Sequence, residues 1–173
     1  MLLTNGNITL RALEPTDVDL LYHWENDSSV WRVSNTRTPL SKFALSAYIQ
    51  SSHKDIWEIK EMRLVIESTE KVALGTIELF DFDPYHSRAG VGVLIFNDSD
   101  RRKNLASEAM MLLFDYALNE LGIAQLYANV AESNEASLQL FRKLGFELTG
   151  VKKRWLRIPG GWENEHLLQK FLG

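Results

Sequence analysis

The 173-residue chain contains no cysteine. That excludes a disulfide, a thiolate metal site and a cysteine nucleophile. It also lacks an apolar run near the roughly 20 residues a membrane-spanning helix needs. The opening Met1-Leu2-Leu3-Thr4-Asn5-Gly6-Asn7 has no basic segment followed by an apolar one, so it does not read as a secretion signal. His23, His53, His86 and His166 show no metal-ligand spacing, and no metal is expected. Nor is there an excess of positive charge. The formal net charge of -4 gives no reason to expect nucleic-acid binding and is mildly compatible with a cationic substrate. A cytoplasmic protein with no membrane partner is the expectation.

What is present is a composition that can bury a core, with 45% hydrophobic and 24% charged residues. One domain over residues 1–173 is expected. Asn7-Ile8-Thr9-Leu10-Arg11-Ala12 alternates like a half-buried strand. Glu14-Pro15-Thr16-Asp17 reads as a helix start capped by Thr16, with Val18, Leu20, Leu21 and Trp24 as the apolar stripe. A second helix runs from Ser41 to about Ser52, with Phe43, Leu45, Tyr48 and Ile49 inward. Strands are expected at 63–67, 72–80 and 89–96, with 81–88 as a connection. Residues 91–96 are nearly all apolar, as in a strand covered on both faces. Residues 105–121 form the clearest helix, stopped by Gly122. A short strand at 125–130, a short helix at 135–144 and two late strands near 147–158 and 162–171 complete the chain. The order β-α-α-β-β-β-α-β-α-β-β defines an α/β (α+β) fold, a mixed sheet with helices on both faces.

Two segments carry chemistry. Arg101, Arg102 and Lys103 lie between a strand and a helix start, where free backbone N–H groups and the helix dipole favour anions. Three adjacent cations strengthen the case for a phosphate. Leu105 and Ala106 anchor the first turn, and small Ala106 allows close approach. The same residues also read as a solvated basic loop with Asn104 as an ordinary cap. In Asn134-Glu135-Ala136-Ser137-Leu138-Gln139-Leu140-Phe141-Arg142-Lys143-Leu144-Gly145-Phe146, Asn134 caps a helix. Leu138, Phe141 and Leu144 pack inward, and Gly145 ends it.

Asp100-Arg101-Arg102-Lys103-Asn104-Leu105-Ala106-Ser107-Glu108-Ala109 resembles the pyrophosphate loop of the GNAT N-acetyltransferases. That pattern is Gln or Arg, two residues, Gly, one residue, then Gly or Ala. Arg101 and Ala106 match its ends. Asn104 replaces the usual Gly, and Asn is among the non-glycine residues that best tolerate the left-handed region. Segment 134–146 is similar to the second GNAT signature, an Asn followed by an aromatic shortly before Lys-Leu-Gly-Phe. Ile8-Thr9-Leu10-Arg11 and the C-terminal hairpin look like the branch holding ribosomal-protein N-terminal acetyltransferases and spermidine or diamine acetyltransferases, among which homodimers are common.

The resemblance implies a centrally splayed sheet with acetyl-CoA as the acetyl donor. It implies cofactor contacts from the backbone of Leu94, Ile95 and Phe96, from the 101–106 loop, and from Asn134 and its helix neighbours Ser137 and Phe141. Many members carry a proton-donating Tyr at the position of Phe141, which has no hydroxyl. The acetyl group would pass to a primary amine, a polyamine, other small amine or protein N-terminus, by direct attack in a ternary complex. The two departures, Asn104 and Phe141, also suit a non-catalytic acyl-CoA-binding module. Glu78 is the candidate base or amine anchor, because its strand should border the acceptor cleft. Asp81 and Asp83 could attract a cation, although all three carboxylates also fit solvated positions. Glu25 and Asp27 are weaker candidates for the acceptor wall. Trp31, in a polar loop, is expected to line it, whereas the other tryptophans are expected in the core or an interface.

Overall fold

The computed structural model describes residues 3–34, 36–101 and 103–173. Seven strands form one sheet: β1 (Ile8–Ala12), β2 (Met62–Ser68), β3 (Ala73–Asp83), β4 (Arg88–Ile95), β5 (Gln125–Ala131), β6 (Glu147–Ile158) and β7 (Gly161–Phe171). Their spatial order is β1-β2-β3-β4-β5-β7-β6. All neighbours are antiparallel except β4 and β5. That parallel pair holds only Arg88↔Gln125, Ala89↔Leu126 and Gly90↔Tyr127. Beyond Gly90 and Tyr127 the two strands diverge, so the sheet opens like a V at its centre. The connection is α6 (Leu105–Asn119), the crossover helix a parallel pair requires.

Alternation along β2 shows how the two faces are filled. Leu64 and Ile66 belong to the larger core with Ile77, Leu79 and Val91 and with Met110, Leu113 and Ala117 of α6. Leu138 and Phe141 of α7 (Glu135–Lys143) join the same core. Val65 points the other way, to Leu21 of α1 (Val18–Glu25) and to Leu45 and Ile49 of α3 (Lys42–Ser51). A strand with period-two burial thus feeds two cores. Three shorter helices were not legible in the sequence: α2 (Ser28–Ser34), α4 (Ile56–Ile59) and α5 (Asp98–Arg101). No helix among the described residues is long and apolar enough to cross a membrane.

Several sequence expectations need correction. Thr16 does not cap the first helix. A 3-10 turn over Pro15–Asp17 precedes it, and there Asp17 Oδ2 accepts the Glu14 backbone N–H at 2.8 Å. Phe43 is 85% exposed, so the α3 stripe is narrower than its composition suggested. Strand β3 runs on to Asp83 through a bulge after Phe80, leaving only a short turn before Arg88. Segment 91–96 is not covered on both faces, since Gly92, Val93, Leu94 and Phe96 are only half-buried beside the opening. Trp57, Trp155 and Trp162, expected in the core or an interface, are outside the core and exposed in the single chain.

The first strand is tied down by charge. Arg11 donates to both oxygens of Asp17, at 2.8 and 3.0 Å, and to Glu67 Oε2 at 2.6 Å. Both carboxylates are buried. Burial pushes the Asp17 carboxyl up, but the Arg11 hydrogen bonds and the Glu14 N–H outweigh it and leave it below the usual range. Removing the cation would leave buried Asp17 without an ion partner among the described residues and Glu67 with only the exposed Lys71. Arg11→Ala is therefore expected to cost about 3 kcal/mol of unfolding free energy, read by urea denaturation at pH 7.

Candidate active site

The opening between β4 and β5 leaves backbone groups without a strand partner. Phe96 N bonds Leu74 O at 3.2 Å, and Leu74 and Phe96 continue the Gly75↔Ile95 register. In an antiparallel ladder the groups facing one neighbour alternate along the strand. The Leu94 groups and the Phe96 N–H therefore turn to β3, while Val91, Val93 and Ile95 turn theirs to the opening. Of the three residues expected to offer backbone to a ligand, Ile95 is the one turned to the opening, and its O accepts from Arg101. A one-residue parity cannot be read from an apolar run.

The loop that follows is shaped at Asn104, which has φ 63° and ψ 9°, the left-handed conformation that its chemistry suggested. It is not a side-chain cap, because its Oδ1 accepts from Lys143 Nζ at 2.7 Å instead. That bond joins the loop to the end of α7, so the two sequence signatures meet in space. The first-turn N–H groups of Leu105, Ala106 and Ser107 have no intrahelical acceptor by position, an arrangement suited to an anion. Arg101 is exposed but reaches back to the end of β4. Its Nε donates to Ile95 O at 2.8 Å, a second nitrogen reaches Phe96 O at 3.2 Å, and it pairs with Asp98 at 2.6 Å. Lys103 pairs with Asp100 at 2.8 Å. Arg102 lies outside the described residues.

At the start of α7, Asn134 Oδ1 accepts the Ser137 N–H at 3.2 Å, so Asn134 acts as the helix cap. Phe141 is 4% exposed and packs edge-on against Phe146 with centroids 4.9 Å apart. Its position is one of packing, with no proton to give.

The face carrying α1 and α3 holds the carboxylates. Glu78 on β3 stands directly opposite Arg63 on β2 and leans over Gly92 of β4. A Cβ at position 92 would come within 3.2 Å of Glu78 Oε1. The next glycine, Gly90, lies under the Phe80 ring, which a Cβ would meet at 2.2 Å. Both glycines leave room for a β3 side chain to cross β4 toward the opening. Burial raises the Glu78 carboxyl above its usual range, Arg63 opposes this, and Glu25 and Glu61 add to it. No described residue hydrogen-bonds the Glu78 carboxylate.

Glu25 is buried, and it ends α1 rather than following it. It pairs with Arg63 in a short hydrogen bond. Trp31 is on α2 rather than in a loop, and its Nε1 donates to Glu25 O at 2.8 Å. It therefore braces Glu25. Asp27 is exposed and accepts the Ser29 N–H at 2.9 Å. Trp24 stacks on Phe96 at 4.0 Å and 3°, linking α1 to the segment after β4. Asp81 and Asp83 line a groove with Arg88, Gln125 and Tyr127, at the closed end of the opening. Asp81 accepts from Tyr127 Oη at 3.2 Å and Asp83 pairs with Arg88 at 3.2 Å, so they are apart from Glu78 and already engaged. The sequence reading missed Arg63, a lone cation in a strand, and Lys143. Among the described residues no cluster of three metal-ligating side chains exists.

This geometry is that of an acyl-CoA site: a splayed parallel pair, an anion-binding helix start after its first strand, and a carboxylate beside the gap. Residues 7–147 match the model of the acetyltransferase (GNAT) domain. The chain belongs to the GNAT acetyltransferase family. It is an N-acetyltransferase with acetyl-CoA as donor. It is similar to the spermidine N(1)-acetyltransferase of Escherichia coli (strain K12), at 30% identity over 91% of this chain and 82% of that protein. The spermidine N(1)-acetyltransferase of Vibrio cholerae serotype O1 is 25% identical, over 92% and 90%. Among solved structures, spermidine N-acetyltransferase from Vibrio cholerae in complex with CoA and spermine superposes with a TM-score of 0.87 at 23% identity, covering 97% of each chain. A dodecameric form of that protein gives 0.79, covering 97% of this chain and 95% of the other.

The raised Glu78 carboxyl has a consequence for stability. Its anion is less favourable folded than unfolded, so it destabilises the protein wherever it is ionised. That cost is absent below the ordinary carboxylate range, grows as pH rises through Glu78's higher folded value, and is complete above it. Glu78→Gln should therefore raise the melting temperature at pH 8 and leave it unchanged near pH 3. Calorimetry at both pH values checks this, and a lower melting temperature at pH 8 contradicts it.

Proposed function

We propose that this N-acetyltransferase acts on an aliphatic di- or polyamine and that Glu78 accepts the proton of the attacking ammonium. The observation that carries the reading is the Glu78 carboxylate itself. It is largely buried, free of hydrogen bonds from described residues, and poised over a bare glycine beside the opening. Its other anionic neighbours, Glu25 and Glu61, give the acceptor side negative charge suited to a cation. The names of the curated relatives support the same acceptor class.

Acetyl-CoA supplies the acetyl group as a thioester. The first-turn N–H groups of Leu105, Ala106 and Ser107, with Arg101 and Lys103 released from Ile95 and Asp100, would hold its pyrophosphate. The backbone of Val91, Val93 and Ile95 would bond the arm that lies in the opening. Asn134 would keep its side-chain nitrogen for the same arm while its oxygen caps α7. An alkylammonium has a pKa near 10, so one proton must leave the nitrogen before attack at neutral pH. Glu78 would take that proton, the neutral amine would attack the thioester carbonyl and expel the thiolate, and the second proton released as the amide forms would neutralise that thiolate through solvent. A thiol pKa of about 8.5 makes that leaving group tolerable without an acid at Phe141.

Thiol release from acetyl-CoA over a panel of spermidine, spermine, putrescine, amino sugars and N-terminal peptides tests the acceptor. Polyamines should give the highest kcat/KM, and turnover confined to peptides would overturn the reading. In Glu78→Gln, kcat should fall at least about 100-fold while the dissociation constant for acetyl-CoA stays within about twofold. A rate near wild type removes Glu78 from the mechanism. Arg101→Ala should weaken acetyl-CoA binding about tenfold by calorimetry, the loss of one charge-assisted contact. An unchanged constant shows that Arg101 stays on Ile95 and does not hold phosphate.

A further inference from the structure

Arg63 lies among the carboxylates of the acceptor side, and its placement is more specific than an ion pair requires. It stands opposite Glu78 across the β2–β3 ladder. One nitrogen is held by Glu25 of α1 and lies 3.3 Å from Thr76 Oγ1 of β3. Its Nε is buried and has no hydrogen-bond partner among the described residues. Tyr48 of α3 lies beside it, and Glu61 precedes β2 on the same side. A strand, two helices and the neighbouring strand thus converge on one guanidinium. Arg63, Glu25, Glu61, Tyr48 and the bare Gly92 are what Glu78 faces from the elements packed around it.

We propose that Arg63 is a positioning residue: pinned by Glu25 and Thr76, its guanidinium holds the Glu78 carboxylate as an anion over Gly92, and Glu25 sets how much of that positive charge Glu78 receives. The inference rests on the proposed role of Glu78. A buried carboxylate left alone would bind its own proton and could not take one from an ammonium. Arg63 supplies the opposing charge, and the Glu25 anion limits it, so that Glu78 is neither kept protonated nor made too weak a base. The two residues act on Glu78 with opposite sign. A purely structural role would not produce that pattern.

The test follows from the signs. The side-chain carboxyl of Glu78 is titrated by carbon-13 NMR in the full-length protein, with Glu78→Gln identifying its resonance. In Arg63→Gln its titration should move to higher pH, and in Glu25→Gln to lower pH. Arg63→Lys, which restores a cation, should bring it back toward wild type. In parallel, the ratio of kcat/KM at pH 6 to that at pH 9 should fall roughly tenfold in Arg63→Gln relative to wild type. Shifts in the same direction for both variants, or no shift in either, overturn the inference. If Arg63→Gln does not fold, the downward shift in Glu25→Gln and its absence still decide the matter. If Glu78→Gln keeps wild-type turnover while the opposed shifts appear, the role of Glu78 as base fails and the electrostatic arrangement stands.

Discussion

Two parallel strands that stop bonding after three residue pairs set the terms for everything else in this protein. A strand edge inside a sheet is costly unless its backbone groups find partners. Here the edge is divided between internal and external solutions. Ile95 O is taken by Arg101, which reaches back from α5, and the groups of Val91 and Val93 face the opening. The chain leaves β4 through the short α5 and enters α6 through a left-handed Asn104. The same V therefore creates an edge that needs hydrogen bonds and places beside it a helix start with free N–H groups. A donor with amide groups and phosphates satisfies both.

The acceptor side solves a different problem. Glu78, Glu25 and Arg63 are drawn into low-dielectric surroundings where one cation sits among several anions. Burial alone would neutralise a carboxylate, and a single strong ion pair would silence it as a base. The arrangement lies between these limits, because Arg63 is shared. The cost in stability is accepted at a residue whose reactivity depends on it. Arg11 shows the opposite use of the same chemistry at the far edge of the sheet. Its two buried carboxylates are fully bonded and serve only to hold β1 and the 3-10 turn.

How much of this was legible follows from which features are local. The helix at 105–121, the late strands and the position of Glu78 on a strand came from periodicity and turn residues, and the structure keeps them with small changes at the ends. Asn104 was legible as chemistry, since few residues other than glycine accept its conformation. The short helices α2, α4 and α5 were not, because four to seven residues hold too few turns for a pattern. The parity of β4 was also hidden, since every residue from 93 to 96 is apolar and register depends on a neighbour far away in sequence. Arg63 was missed for the same reason. Its meaning lies in Glu25 and Glu78, 38 residues before it and on the next strand respectively. Phe43 shows the converse error, a large apolar residue at a helical spacing with nothing to cover it.

Gly90 and Gly92 lie beneath side chains that belong to β3, with Phe80 over the first and Glu78 over the second. Neither glycine has a positive φ, so the constraint comes from space and not from backbone conformation. Each glycine and the β3 side chain over it are therefore coupled through shared space. A lineage that replaced Phe80 with a small residue would open position 90 to a side chain of its own. A side chain at position 92 would press on the Glu78 carboxylate and shift it by a few tenths of an ångström. The space left by residue 92 is thus part of what sets the position of the Glu78 carboxylate over β4.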